Sequence, residues 1–388
     1  MAYLLENDDV LQSDIVQRFL RYVKIWTTSD PHVRETPTSE GQWDLAQILL
    51  WELRDIGISD VVITEHCYVI ARIPANGERF ANESAIGFLA HLDTSADVSG
   101  KDVNALYDEQ AQIIKTDGKT LLGADDKAGI AEIMAAAAYI MAHPEIEHCC
   151  MEIIFTPDEE TGAGLPCFPM ELISAKSAYT LDGGPLGELE SECFNAYSVT
   201  VNFGGREIHP GHARGELVNA ALMAATFSTM LPRNESPEAT DGYYGYYALM
   251  EISGNHENAS AHLILRDFDN KGMKRRLDTI DALAAAVLSQ FPGGTVSIDK
   301  KHSYSNMKEK IDQSPDVLEK LKTAARNCGI KYTFKPIRGG TDGSRLTQLG
   351  IPTPNIWTGG RNFHSRDEWV SVPDMLAASK VVLELVSL

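Results

Sequence analysis

The chain of 388 residues exceeds the size at which a single hydrophobic core usually stops growing, so two domains are expected. Its 34 Lys plus Arg stand against 55 Asp plus Glu, a net charge of -21 that argues against nucleic acid as a partner and suits a protein that collects divalent cations. Six scattered cysteines without a C-x-x-C spacing exclude a zinc knuckle and a disulfide framework, and no apolar run approaches the roughly 20 residues of a membrane span.

The opening MAYLLENDDV is acidic and lacks the basic and apolar regions of a secretory leader, so a soluble, cytoplasmic protein is expected. Ile15, Phe19, Tyr22 and Val23 at helical spacing predict an amphipathic helix over 15–25, capped by Ser13 or Asp14. Ser39 and Gln42 form a capping-box pattern before a second helix that Gly57 ends. Strands are predicted at 61–64, 68–73, 86–90, 152–155 and 178–181. Helices alternating with apolar strands indicate an α/β fold around a mostly parallel sheet.

Acids and histidines recur where these elements end. The strand 86–90 runs into His91 and Asp93, which are two apart and so share one face of an extended chain. An imidazole with a carboxylate behind it suits a metal, and a satisfied half-buried histidine is the competing reading. Asp125 and Asp126 stand at the mouth of an Ala-rich helix, 128–142, where orphan amides favour negative charge whatever else the acids do. The strand 152–155, stopped by Pro157, leads to the adjacent Glu159 and Glu160. Neighbouring side chains diverge, so one can bind a cation while the other faces a reacting bond as a base. The strand 178–181 leads to Asp182 and two glycines that let the backbone come close. Each feature alone also fits a solvated turn. Their recurrence at one edge is not what chance placement predicts.

From about Asn195 the pattern becomes β-α-β-β-α-β, a ferredoxin-like insert of about 110 residues. Within it REIHPGHARG places His209 in a turn-rich loop. The α/β pattern then resumes with a helix over 315–328, a strand over 332–336 and a loop, IRGGTDGSR. There Arg338 suits a substrate carboxylate gripped at two points, a solvated arginine being the alternative. NIWTGGRNFHSRDEW places His364 after an apolar strand, 355–358, and a helix over 373–386 closes the chain. Serine-hydrolase, H-E-x-x-H and P-loop signatures are absent from the sequence.

The motifs HLDTSAD, TDGKTLLGADDKAG, TPDEETG, YTLDGG, IHPG, RGGTDG and NFHS, in this order, together with LRDFD and SYSNMKEK, resemble the peptidase T family of aminotripeptidases. That family is a branch of the dinuclear zinc metallopeptidases that also include carboxypeptidase G and succinyl-diaminopimelate desuccinylase. The resemblance runs nearly end to end. It implies a catalytic domain in two parts, 1–194 and 306–388, with a lid and dimerisation domain over 195–305 inserted between them. It implies two zinc ions per subunit, with cobalt or manganese as alternatives: one held by His91, Asp125 and Asp182, the other by Asp125, Glu160 and His364, with Asp125 bridging. Glu159 would be the general base, Asp93 the carboxylate behind His91, and His209 the oxyanion group contributed from the partner subunit's lid. A cis peptide is implied between Asp125 and Asp126, and the implied assembly is a homodimer acting on short peptides. Two stretches depart from the family. The segment 98–115 is shorter than its counterpart, and Asp367 stands where the family has a second histidine. Both touch the surroundings of the cleft, and so bear on peptide length rather than on the chemistry.

Overall fold

The structure, a computed structural model, describes residues 8–388. The first seven residues of the opening segment, on which the expectation of no leader partly rests, lie outside them. The chain forms two compact units, one from its residues up to Ser191 with Met307–Lys335 and Thr341–Leu388, the other from Glu192–Asn306 and Pro336–Gly340.

Among the described residues the first unit carries a six-stranded sheet in the order Asp60–Ile63, Val69–Ile73, Met151–Thr156, Ile86–His91, Ser177–Gly183, Asn355–Trp357. The last four run parallel, while the first two pair antiparallel at one edge. Ile86–His91 and Met151–Thr156 are buried at every residue, which is why they read as apolar runs without alternation. The helix Ala124–Ala142 is buried nearly all round, and its small side chains let it lie close on the sheet. Val372–Ser387 and Asp8–Tyr22 pack beside it.

Several local expectations are corrected. The first helix is already formed at Asp8, so Ser13 and Asp14 lie inside it and cannot cap it. Ser39 is the N-cap of Glu40–Asp55, but its hydroxyl makes no capping bond. It accepts from Gln42 Nε2 at 3.1 Å, and the other groups of Gln42 turn toward Asp158. Gly57 does end that helix region, at φ 98°, a conformation that costs glycine little. Asp342–Leu349, read as loop, is a helix with a capping box from Thr341 and Ser344. The predicted strand over 332–336 reduces to Thr333–Phe334. A small antiparallel sheet of Gly360–Arg361, Trp369–Ser371, Ile113–Thr116 and Ala105–Asp108 was not anticipated. Its strands are too short to show a period; Ala105–Asp108 falls in the segment 98–115 and Ile113–Thr116 straddles its end.

The second unit has the expected β-α-β-β-α-β order: Asn195–Gly204, Ala220–Met230, Tyr246–Gly254, Asn258–Asp267, Asn270–Gln290 and Thr295–Tyr304. Its antiparallel sheet runs Tyr246–Gly254, Asn258–Asp267, Asn195–Gly204, Thr295–Tyr304, as in a ferredoxin-like fold. Both helices cover one face, burying Val199, Val201 and Phe203 against Met223, Phe227, Ile280 and Val287. Among the described residues no helix is long and apolar enough to cross a membrane.

Glu132, in the middle of the Ala-rich helix, is fully buried, and neither carboxylate oxygen has a hydrogen-bond partner. Burial, with Asp126 and Asp374 nearby, pushes its carboxyl well above the ordinary 4.5. A group whose pKa is raised on folding adds stability below its unfolded value and loses it as pH rises. The folded chain stays protonated there while the unfolded chain ionises, a loss of about 1.4 kcal/mol per pH unit. Thermal unfolding across pH should therefore show Glu132→Gln gaining on the wild type steadily above pH 4.5. Parallel curves for the two proteins would contradict a neutral buried acid.

Candidate metal centre

The four parallel strands end on the same edge, and three of them deliver functional side chains to it. His91 is the last residue of Ile86–His91, Asp182 is the penultimate residue of Ser177–Gly183, and Met151–Thr156 runs straight into the turn that carries Glu159 and Glu160. That turn is fixed from two sides. Asp158 sits at φ 54°, and its carboxylate accepts from Thr38 Oγ1 at 2.6 Å and Gln42 Nε2 at 2.7 Å, while its own N–H donates to Gln42 Oε1 at 3.1 Å. Asp93, wholly buried, accepts from the Glu159 amide at 2.9 Å and the Glu160 amide at 3.1 Å. His91 Nδ1 lies 3.1 Å from the Asp93 carbonyl and 3.2 Å from its Oδ1, so one residue orients both the imidazole and the glutamate pair.

Asp125 and Asp126 precede the regular part of the Ala-rich helix with non-helical backbone and a cis peptide between them. The two oxygens of Asp125 divide between two imidazoles: Oδ1 is 2.9 Å from His91 Nε2 and Oδ2 is 3.4 Å from His364 Nε2. Asp182 Oδ1 lies 3.8 Å from His91 Nε2, and Glu160 Oε1 lies 3.1 Å from His364 Nε2. His364 itself is carried by the turn that joins Gly360–Arg361 to Trp369–Ser371. His91, Asp125 and Glu160 have ligand atoms all within 4.8 Å of one another, and so do His91, Asp126 and Asp182.

The charge balance is one-sided. Asp125, Asp126, Glu160 and Asp182 crowd two imidazoles. Burial would lower His91, but the Asp125 and Asp93 carboxylates hold it well above its ordinary value, and Asp125 and Glu160 push His364 up to about 11. Burial would raise Asp125, but the two imidazoles hold it well below the usual carboxylate range. Burial, then Asp126 and Asp125, push Asp182 well up. Burial and Asp125 push Glu160 up to about 7, and burial and Asp342 push Glu159 up to about 8. Asp126 Oδ1 is buried without a hydrogen-bond partner, and Glu160 Oε1 faces His364 off hydrogen-bond geometry. Buried carboxylate oxygens left without donors, beside two imidazoles, fit a divalent cation of the borderline kind.

The structure thus brings His91, Asp93, Asp125, Glu159, Glu160, Asp182 and His364 together in the first unit. His209 and Arg338 belong to the second. His209 is exposed, with Nδ1 accepting from the Gly211 amide at 3.1 Å. Arg338 departs from expectation. Its guanidinium donates to the carbonyls of Gly242 at 2.7 Å, Tyr244 at 2.9 Å and Thr240 at 3.2 Å, and it stacks over Phe194 and Tyr246. Both terminal nitrogens of the fork that would grip a carboxylate are taken, so Arg338 ties its own loop to the segment 240–244.

Sequence reasoning passed over several supporting side chains. Asp126 Oδ2 accepts from the His91 amide at 3.1 Å. Glu368, 1% exposed, accepts from the amides of Leu122 at 2.9 Å, Gly123 at 2.8 Å and Asp125 at 3.1 Å, so it sets the backbone that carries Asp125. Arg345 Nη1 lies 4.0 Å from Glu159 Oε1 and 3.2 Å from the buried Asp342. These groups lie within or beside the motifs already singled out, and Asp126, Glu368 and Arg345 each reach a partner distant in sequence.

Residues 88–388 match the model of peptidase family M20/M25/M40. The chain is 43% identical to a peptidase T of Geobacillus thermodenitrificans, an alignment covering 97% of this chain and 98% of that protein. A tripeptidase of Staphylococcus aureus shares the fold at a TM-score of 0.82 with 20% identity, covering 97% of this chain and 98% of that one. A Bacillus subtilis protein described as a dinuclear metal binding peptidase from the M20 family matches at a TM-score of 0.70 with 14% identity, covering 98% of each chain. The chain belongs to peptidase family M20/M25/M40, in its peptidase T branch.

Proposed function

We propose that this chain is a dinuclear zinc aminopeptidase that hydrolyses the N-terminal peptide bond of short peptides, tripeptides foremost. The observation that carries the reading is the division of the Asp125 carboxylate between His91 and His364, with Glu159 held beside it by Asp93. His91, Asp125 and Asp182 would hold one cation and Asp125, Glu160 and His364 the other. Asp126, whose carboxylate already takes the His91 amide, stands next to the first set as a neighbour. The chemistry such a pair supplies is polarisation of the scissile carbonyl and acidification of the attacking water.

The protein's own groups do the rest. The Asp93 main-chain carbonyl at 3.1 Å and its carboxylate Oδ1 at 3.2 Å both face His91 Nδ1, which would leave Nε2 to ligate. Glu159, partly buried and anchored through its amide by Asp93, is placed to take the water's proton and pass it to the leaving amine. His209, from a partner subunit, would donate to the oxygen on which charge develops. Support for a homodimer through the second unit comes from its edge strand Tyr246–Gly254, which exposes Leu249, Met250 and Ile252. The buried thiols of Cys67, Cys149 and Cys193 suit a reducing, cytoplasmic location.

Glu159→Gln should lower kcat by about 10²- to 10⁴-fold with zinc content unchanged, as read by steady-state kinetics beside elemental analysis. Turnover within a few-fold of wild type would remove Glu159 from the base role. On a panel of tripeptides, those with a free N-terminus should lose their first residue while N-acetylated forms survive. Hydrolysis of blocked peptides alone would replace the aminopeptidase reading with that of an amidohydrolase for N-acyl amino acids. In light scattering, Ile252→Lys should convert a dimer to a monomer, and an unchanged mass would exclude this edge as the contact.

A further inference from the structure

Asp97 ends the run HLDTSAD, and its carboxylate has a partner far along the chain. Its amide donates to Ser95 Oγ at 3.2 Å, and its Oδ2 accepts from His364 Nδ1 at 2.9 Å. His364 stands at φ 59° and Asn362, two residues earlier, at φ 56°, so the turn holds two non-glycine residues in the left-handed region. Such a conformation persists where other contacts over-determine it. The Trp369–Ser371 pairing and Glu368 hold one end of this turn, while Asp97 holds the ring itself.

The side chains of Asp97 and His364 are 69% and 37% exposed. An ion pair this open to water adds little to fold stability, so stability alone does not account for its geometry. Its effect is on the imidazole. In the neutral ring that a cation requires, Nδ1–H donated to Asp97 would leave the lone pair on Nε2, which faces Asp125 Oδ2 at 3.4 Å and Glu160 Oε1 at 3.1 Å. A related arrangement occurs at His91, whose Nδ1 lies 3.1 Å from the Asp93 carbonyl and 3.2 Å from its carboxylate while Nε2 faces Asp125.

We propose that Asp97 is a positioning residue for His364: it fixes the tautomer and ring orientation of that ligand as Asp93 does for His91, so that each cation has its own carboxylate-imidazole pair. This rests on the two-cation reading of the site. The contrast with Asp93 also has a consequence. Asp93 is buried and additionally holds the glutamate turn, whereas Asp97 is open and acts on one ligand only.

The test is stepwise zinc binding by calorimetry with a competing chelator on the full chain, for wild type, Asp97→Ala, Asp97→Asn and His364→Ala, with the unfolding temperature of each chelator-treated protein measured alongside. Asp97→Ala should weaken one zinc site by about 10- to 100-fold, the same site that His364→Ala abolishes, and leave the other site and the unfolding temperature unchanged. Asp97→Asn, which keeps an acceptor oxygen but not the charge, should fall between. Two unaltered affinities in Asp97→Ala, with His364→Ala still losing one site, would overturn the role of Asp97 while leaving the two-cation reading intact. A wild type that takes up fewer than two zinc ions, or a His364→Ala variant that keeps both sites, would overturn the two-cation reading and this inference with it. An equal loss at both sites in Asp97→Ala would also overturn it, since the effect would not be confined to His364.

Discussion

The carboxylate of Asp93 is the joint on which the site depends. It lies wholly buried, and it accepts from the amides of Glu159 and Glu160 while facing His91 Nδ1. A buried carboxylate is costly unless donors surround it, and here the donors are the backbone amides of the proposed base and of a proposed ligand. The position of the glutamate turn is therefore tied to the orientation of the imidazole. Asp158, held by Thr38 and Gln42, locks the same turn from the opposite side and accounts for its left-handed backbone. Around this frame the remaining acids are packed more densely than two imidazoles can neutralise, and Asp126 Oδ1, buried without a hydrogen-bond partner, is the trace of that imbalance.

The parallel strands explain why such distant residues meet. Adjacent parallel strands leave a sheet at the same edge, so whatever follows His91, Thr156, Gly183 and Trp357 is gathered there without further instruction. This part was legible because fully buried strands are continuous apolar runs with an abrupt polar end. The recurrence of His, Asp and Glu at those ends was visible before any pairing was known. The ferredoxin-like unit was legible for a similar reason, since its four strands and two helices are long enough to show their periods.

What escaped the sequence has physical causes. The helix Asp342–Leu349 is only eight residues long and begins in a Gly-rich stretch, so the capping box of Thr341 and Ser344 was the only available sign. The strands around His364 span two or three residues each, too few for alternation to register. Glu368 and Asp97 act through partners more than 200 residues away, which no local pattern encodes. Ser13 and Asp14 misled because they are good capping residues that happen to lie within an amphipathic helix already formed at Asp8. Arg338 misled because glycines beside an arginine suit a ligand and a clamped loop equally well, and its carbonyl partners lie about a hundred residues earlier.

The central claim is that Asp125 bridges two cations. Anomalous diffraction at the zinc edge from crystals grown with zinc tests it most directly. The account predicts two peaks about 3.5 to 4 Å apart, both within bonding distance of Asp125, with His91 and Asp182 on one and Glu160 and His364 on the other. A single peak, or two peaks of which Asp125 contacts neither or only one, would contradict it.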